Sequence, residues 1–171
     1  MAQHLILPGS LTAAYTATQY SKGLTPRLGD TYFDQARNKA YIFLMNDGSG
    51  AIAAKLAVRA LATDLSDFHA VVASTTITGN ELLFAGVRVS GATSLAQNEY
   101  GWFQVKGSAT FTASSDTTTA NLGVMTSNQS AGQVEAASAD DAGIRGTFGI
   151  AETTTASGDV VVKLTYNVWG V

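Results

Sequence analysis

Cysteine is absent from this 171-residue chain, and proline occurs only twice. The lack of cysteine excludes a disulfide framework, a thiol nucleophile and a thiolate-bound metal ion. Charged residues are also scarce, at 13% of the chain, which is about half the share that is typical of globular proteins. Stability must therefore come from packing, hydrogen bonds or assembly, and small neutral residues must cover much of the surface.

The chain also has neither a concentrated charge nor a long apolar run. Its formal net charge is -3, and its lysines and arginines are scattered, which argues against electrostatic binding of nucleic acid or an anionic membrane. No segment reaches the length of a membrane span, and the first residues lack the cationic start of a signal peptide. We expect a soluble protein, made in the cytoplasm, that binds neither nucleic acid nor membrane.

Motifs of catalysis are missing as well. The chain contains no Walker loop, no G-x-S-x-G elbow and no G-x-G-x-x-G run. The acidic residues Glu135, Asp140 and Asp141 follow no pattern that places them in a cleft, and His4 and His69 lack the spacing of metal ligands. We therefore expect no enzyme, no catalytic residue, no cofactor and no metal site.

What the chain does contain is alternation of apolar and polar residues with a period of two, the pattern of half-buried strands. The clearest case is 160–169, where the even positions through Val168 are apolar. Strands are predicted over 39–45, 51–61, 68–72, 83–89, 102–112, 124–125, 147–150 and 160–169. The alanines of 51–61 also fit a helix, 39–45 also fits the centre of a short helix, and 136–141 fits a helix start. Seven or eight short strands separated by turn residues predict an all-β domain over 31–171, built as an antiparallel β-barrel or β-sandwich.

Residues 1–30 follow a different pattern. Pro8-Gly9, Gly23 and Pro26 interrupt this segment, and its apolar residues are spaced too irregularly for a helix face. We expect an extended N-terminal arm that lies on a surface and becomes ordered by what it touches, with Tyr15 and Tyr20 as contact residues.

Both tryptophans share a strand face with polar residues. Trp102 has the same parity as Gln104 and Lys106, whereas the opposite parity carries Phe103 and other apolar side chains; Trp169 lies among polar residues in the same way. Because tryptophan is enriched at binding hot spots, these positions predict a contact surface for a partner. The alternative is that each ring closes one end of the barrel, beneath a loop or beneath the N-terminal arm.

Three segments together resemble a known class of protein. These are 39–46 (KAYIFLMN), 83–87 (LFAGV) and 100–109 (YGWFQVKGSA). The order of a strand ending in "aGv" followed by a "yGwvqv.G.a" hairpin is similar to that of the capsid decoration, or cement, proteins of tailed bacteriophages. The resemblance covers about 31–113.

This resemblance implies a virion structural protein on the outer capsid surface, made in the host cytoplasm. Such a protein binds the major capsid protein, commonly as a homotrimer, and stabilises contacts between neighbouring capsid subunits. No catalytic residue comes with it. The alternative hypothesis is a phage tail or fibre-tip module for host or glycan recognition, in which Trp102 or Trp169 stacks on a sugar.

Overall fold

The computed structural model describes residues 10–60, 67–73, 84–114, 118–127, 129–137, 147–155 and 158–165. These residues form one short helix, α1 (Ala17–Ser21), and ten strands, so the predicted all-β class is confirmed. The strands are β1 (Thr31–Asp34), β2 (Lys39–Asn46), β3 (Ala57–Ala60), β4 (His69–Val72), β5 (Phe84–Arg88), β6 (Tyr100–Ala113), β7 (Gly123–Thr126), β8 (Val134–Ala136), β9 (Gly149–Ala151) and β10 (Gly158–Leu164). No helix in this part of the chain is long and apolar enough to cross a membrane.

The strand pairings close into two small rings that share β6. The first ring, which we call the first barrel, runs β6-β2-β4-β3-β5 and returns to β6. The second barrel runs β6-β10-β9-β7-β8 and also returns to β6. Neighbours are antiparallel except for β2–β4 and β6–β8, which are parallel. The sequence predicted one antiparallel barrel or sandwich and did not predict two rings that share a strand.

Each barrel encloses its own apolar core. The first core takes side chains from all five of its strands, including Ile42, Val58 and Phe103. The second core contains Phe111, Val162 and other residues of the second barrel, but it also contains Phe84 and Val87 from β5 and Ala57 from β3. The two cores are therefore joined, with the ring of Phe84 stacked on that of Phe148 at 4.0 Å.

The shared strand β6 changes character at Gly107. From Ser108 to Ala113 it alternates between half-buried and buried residues, as predicted, whereas from Tyr100 to Val105 it is buried on both faces. Gly107 has a φ of 81°, and a Cβ atom at this position would lie 2.5 Å from the carbonyl oxygen of Asn38. A register shift between Ala40 and Tyr41 of β2 faces the same place. Together these features bend β6 so that it leaves the first barrel and enters the second.

The strand predicted over 51–61 is shorter in the structure. Only Ala57–Ala60 forms β3, and the helix alternative for this segment does not occur. Lys55 has a φ of 67°, which an extended strand does not allow. Its N–H donates to the carbonyl of Arg88, and its carbonyl accepts from the N–H of Thr112 in the second barrel. The segment before β3 therefore crosses between the barrels instead of extending a sheet.

Several other predicted elements are confirmed in part. Strands occur at 39–46, 69–72, 84–88 and 123–126, and β9 and β10 overlap the predicted 147–150 and 160–169. Ala136 is the last residue of strand β8, which contradicts a helix start at that residue. Its pairing with Val124 of β7 makes it part of the second barrel. The remainder of 136–141 beyond residue 137, and the positions after residue 165, lie outside the described residues.

Candidate interaction surface

An aromatic layer covers the outer face of the first barrel. Its base consists of Tyr41, Phe43, Tyr100 and Trp102, and Tyr15, Tyr20 and Tyr32 pack on this base. The rings of Phe43 and Trp102 meet edge to face at 5.3 Å, and those of Tyr20 and Tyr100 stack at 4.3 Å. This layer explains why the first half of β6 is buried on both faces.

Residues 10–30 hold the layer in place from outside. The N–H and carbonyl groups of Tyr15 both pair with those of Tyr100, at 2.9 Å each. Thr16 and Gln19 then form a capping box at the start of α1, and this arrangement satisfies backbone donors that a short helix otherwise leaves free. The segment is thus fixed by main-chain bonds as well as by its tyrosine rings.

Arg88 binds residues 10–30 from the side of the first barrel. Its side chain is fully buried, and its guanidinium donates to the carbonyls of Thr12 (3.2 Å), Ala13 (2.8 Å), Thr93 (2.9 Å) and Trp102 (2.9 Å). Burial lowers the pKa of Arg88 to about 10, so the group remains protonated at neutral pH. A single charged side chain therefore joins the N-terminal segment, the loop after β5 and strand β6.

Beside this layer, strand β1 forms an edge of the sheet. Among the described residues it pairs only with β2, so its other edge presents free N–H and carbonyl groups. Phe33 on β1 is 46% exposed, and the ammonium of Lys106 lies 5.4 Å from the centre of its ring. Tyr32, the residue before Phe33, packs in the aromatic layer at 6.5 Å from Trp102. We call β1 with Phe33 and Lys106 the β1 surface.

A second exposed apolar pair lies on the other barrel. Leu122 and Ile150 are 49% and 44% exposed. They belong to adjacent segments, because the N–H of Ala151 donates to the carbonyl of Leu122 at 2.9 Å. Lys163 of β10 is the direct cross-strand partner of Ile150, so this pair also has a lysine on the same face.

The structure brings five of the six predicted contact residues to one side of the first barrel. Tyr15 and Tyr20 are half-buried, Lys106 is exposed, and Trp102 and Gln104 are buried. The arrangement of Trp102 matches the alternative in which its ring lies beneath the N-terminal segment, because Leu11, Tyr15, Tyr20 and Leu28 pack on the cluster that contains it. Trp169 lies outside the described residues, and a contact role for any of the six stays a prediction.

Gln104 is buried for a local reason. Its side-chain amide donates to the carbonyls of Lys106 and Ser108, both at 3.0 Å, and so bridges the bend at Gly107. Phe33 is not among the contact residues predicted from the sequence, because its exposure follows from the position of β1 at the sheet edge.

Burial affects the phenols of the aromatic layer. It raises the pKa of Tyr15, Tyr41 and Tyr100 above the ordinary value, because the charged phenolate is disfavoured away from water. These groups are therefore neutral at physiological pH. At the end of β1, a hydrogen bond from Arg37 lowers the pKa of the half-buried Asp34 carboxyl.

The other candidates from the sequence do not assemble into a site among the described residues. His69 lies 3.5 Å from Asp47 at the surface of the first barrel, and Glu135 is buried in the second barrel. In this part of the chain, no three histidine, aspartate or glutamate side chains come together as a metal ion would require. His4, Asp140 and Asp141 lie outside the described residues.

Comparisons with known proteins give one result of note. No protein-family model and no curated protein matches the chain. Among solved structures, the chain is similar to the N base of the head fibre gp8.5 of bacteriophage phi29, with 11% identity and a TM-score of 0.48 over 74% of this chain and 94% of that chain. A similarity of this size carries no argument about function, so the proposals below depend on the residues of this chain.

Proposed function

We propose that this chain is a virion structural protein of a tailed bacteriophage that binds the outer surface of the capsid. In this role it contacts the major capsid protein as a homotrimer and stabilises the contacts between neighbouring capsid subunits. The role involves no catalytic step, cofactor, nucleic acid or membrane.

The observation that carries the proposal is the β1 surface. A free sheet edge accepts an extended segment of another chain through main-chain hydrogen bonds. Phe33 adds an exposed ring and Lys106 a cation beside it. The aromatic layer and Arg88 hold this edge on a rigid base, so less conformational entropy is lost when a partner binds.

The composition and the resemblance of residues 31–113 to decoration proteins support the same role. A chain with only 13% charged residues has few charges to remove from water when it packs against a protein lattice. A protein that binds only the assembled shell stabilises that shell by RT ln(1 + [L]/Kd) at each site. Many equivalent sites then add their contributions against the pressure of the packaged DNA.

Co-sedimentation with expanded shells of the major capsid protein tests the proposal. The wild-type chain is expected to bind with saturable stoichiometry. The double variant Phe33→Ser, Lys106→Gln is expected to bind about tenfold more weakly or worse, because both side chains lie at the proposed contact. Leu122→Ser is the matched control, since it removes an exposed apolar side chain of the second barrel, and it is expected to bind like the wild type.

Two outcomes contradict the proposal. One is absence of shell binding by the wild-type chain; the other is equal binding by the double variant, which would exclude the β1 surface. Analytical ultracentrifugation of the free protein and of protein released from shells checks the trimer. Binding of a glycan that competes with or replaces shell binding would favour the tail or fibre-tip alternative.

A further inference from the structure

A cavity of about 280 Å³ lies between the turn after β2 and strands β3 and β4. Its walls are formed by Gly48, Ser49, Gly50, Arg59, Val71 and Val72. We propose that this cavity binds the carboxylate of an acidic side chain from a partner polypeptide. The site is independent of the β1 surface and of the capsid role.

The strand register places Arg59 on the outside of the first barrel. Arg59 pairs directly with Val71, so their side chains lie on the same face of the sheet. The alternate residues Val58, Ala60 and Ala70 face the core of the first barrel. Arg59 and Val71 therefore face the cavity, and Val71 provides an apolar wall beside the cation.

Arg59 has no hydrogen-bond or ion-pair partner among the described residues. Its Nε atom is buried and makes no hydrogen bond, and no carboxylate of the described residues lies within ion-pair distance of its guanidinium. A buried donor without an acceptor is costly, and few such groups occur in native structures. An incoming carboxylate supplies the acceptor, and its attraction to a partly desolvated guanidinium is screened less than at an open surface.

The turn opposite Arg59 adds further donors in a fixed arrangement. Asn46 is fully buried; its side chain accepts from the N–H of Gly48 at 3.0 Å and donates to the carbonyls of Gly50 at 2.9 Å and Leu95 at 3.0 Å. In the described part of the chain, the N–H groups of Ser49 and Gly50 donate to no other group. Two residues that line the cavity, Ser49 and Gly50, thus carry free N–H groups on a turn that Asn46 holds in shape.

The neighbouring charges leave Arg59 available. The carboxylate in the turn, Asp47, lies 3.5 Å from the imidazole of His69 and is 39% exposed. One unpaired guanidinium beside valine side chains matches a singly charged planar group on an apolar stem, which describes an aspartate or glutamate side chain. A doubly charged phosphate would require further cations, and none of the other described residues that line the cavity is charged.

A titration followed by ¹H–¹⁵N NMR of the full chain tests the site. The probe is the blocked tripeptide acetyl-Ala-Glu-Ala-amide, and the control probe is the same peptide with glutamine in place of glutamate. We expect saturable shifts of the Ser49 and Gly50 amides with the acidic probe and none with the glutamine probe. Arg59→Gln is expected to weaken binding by about tenfold or more, and Arg59→Lys to retain part of it.

Arg37→Gln serves as the matched control. It removes an arginine that is 75% exposed and already paired with Asp34, so binding should stay at the wild-type level. Circular dichroism melts confirm that each variant is folded. Equal binding by Arg59→Gln, no saturable shift at Ser49 and Gly50 in the wild type, or tighter binding of inorganic phosphate than of the acidic peptide would each overturn the proposal.

Discussion

At the scale of single residues, Arg88 is the position on which the outer face of the first barrel depends. We expect Arg88→Met to lower the free energy of unfolding by about 3 kcal/mol or more, because it removes charge-assisted hydrogen bonds to four carbonyls. The affected carbonyls are those of Thr12, Ala13, Thr93 and Trp102. Urea unfolding followed by circular dichroism measures the change.

Two further variants make the Arg88 result specific. Arg37→Met removes an arginine that is 75% exposed, and it is expected to change stability by less than about 0.5 kcal/mol. Arg88→Lys should fall between the wild type and Arg88→Met, since an ammonium lacks the planar fork that reaches several carbonyls. If Arg88→Met were as stable as Arg37→Met, the anchoring role of Arg88 would be wrong.

Gly107 offers a second prediction at this scale, and Gly158 provides its control. Both residues have positive φ angles, 81° and 91°, but a Cβ at Gly107 would lie 2.5 Å from the carbonyl oxygen of Asn38, whereas nothing lies within 4 Å at Gly158. Gly158→Ala should therefore cost about 1 kcal/mol of backbone strain alone. Gly107→Ala should cost at least about 1 kcal/mol more, because the turn between β1 and β2 has to move. Equal losses in urea unfolding would contradict the close approach.

At the scale of elements, β6 shows what the sequence predicts and what it leaves open. Its second half alternates as the pattern of 107–113 indicates, because only one face of that half is covered. In its first half, Trp102 and Gln104 share a parity that predicts a polar, accessible face, yet both are buried. Their burial depends on residues 10–32, which are distant in sequence, and on the bend at Gly107. No local period carries that information.

The strand predicted for the segment before β3 is wrong for a related reason. The residues from Ile52 to Ala60 alternate as a strand would, and the pattern is also satisfied by an irregular crossing that buries Ile52 against Leu95. The positive φ of Lys55 is unusual for lysine and is imposed by main-chain bonds to both barrels.

For the candidate surface, the sequence indicated the aromatic and basic residues around Trp102 but not Phe33, whose exposure follows from the edge position of β1.

The aromatic layer has a consequence for pH. The pKa values of Tyr15, Tyr41 and Tyr100 are raised. There is therefore a pH range in which these phenols are neutral in the folded protein but ionised in the unfolded chain. Their contribution to stability is thus present below about pH 10, the ordinary tyrosine pKa, and is lost as pH rises through the higher native values.

A spectrophotometric titration of the phenols at 295 nm checks this effect. Of the six tyrosines, a group that includes these three should ionise above pH 10 in the native protein, and all six should ionise together near the ordinary value in concentrated urea. Tyr41→Phe should remove one tyrosine from the late group. Titration of all six as one group in the native protein would contradict the burial of the layer.

At the scale of the whole molecule, the two barrels share more than a strand. β6 supplies one wall of each ring, Phe84 and Val87 of the first barrel belong to the second core, and Lys55 joins the barrels through an ion pair with Asp159 as well as through its main chain. Neither ring can open without removing a strand, or part of the core, from the other. We therefore expect one cooperative unfolding unit within the described structure.

Two core variants and hydrogen exchange distinguish this expectation from independent barrels. Phe103 and Phe111 are both fully buried, one in each core, and truncation of either to alanine should cost about 3–5 kcal/mol. In each variant, the most protected amides of β2 and of β10 should lose the same free energy of opening, because both report the same global event. If Phe111→Ala lowered the protection of β10 and left that of β2 at the wild-type level, the barrels would be separate folding units. The second barrel would then be able to open while the β1 surface stayed intact. Phe111→Ala would in that case still bind shells, whereas global unfolding of the variant would abolish binding.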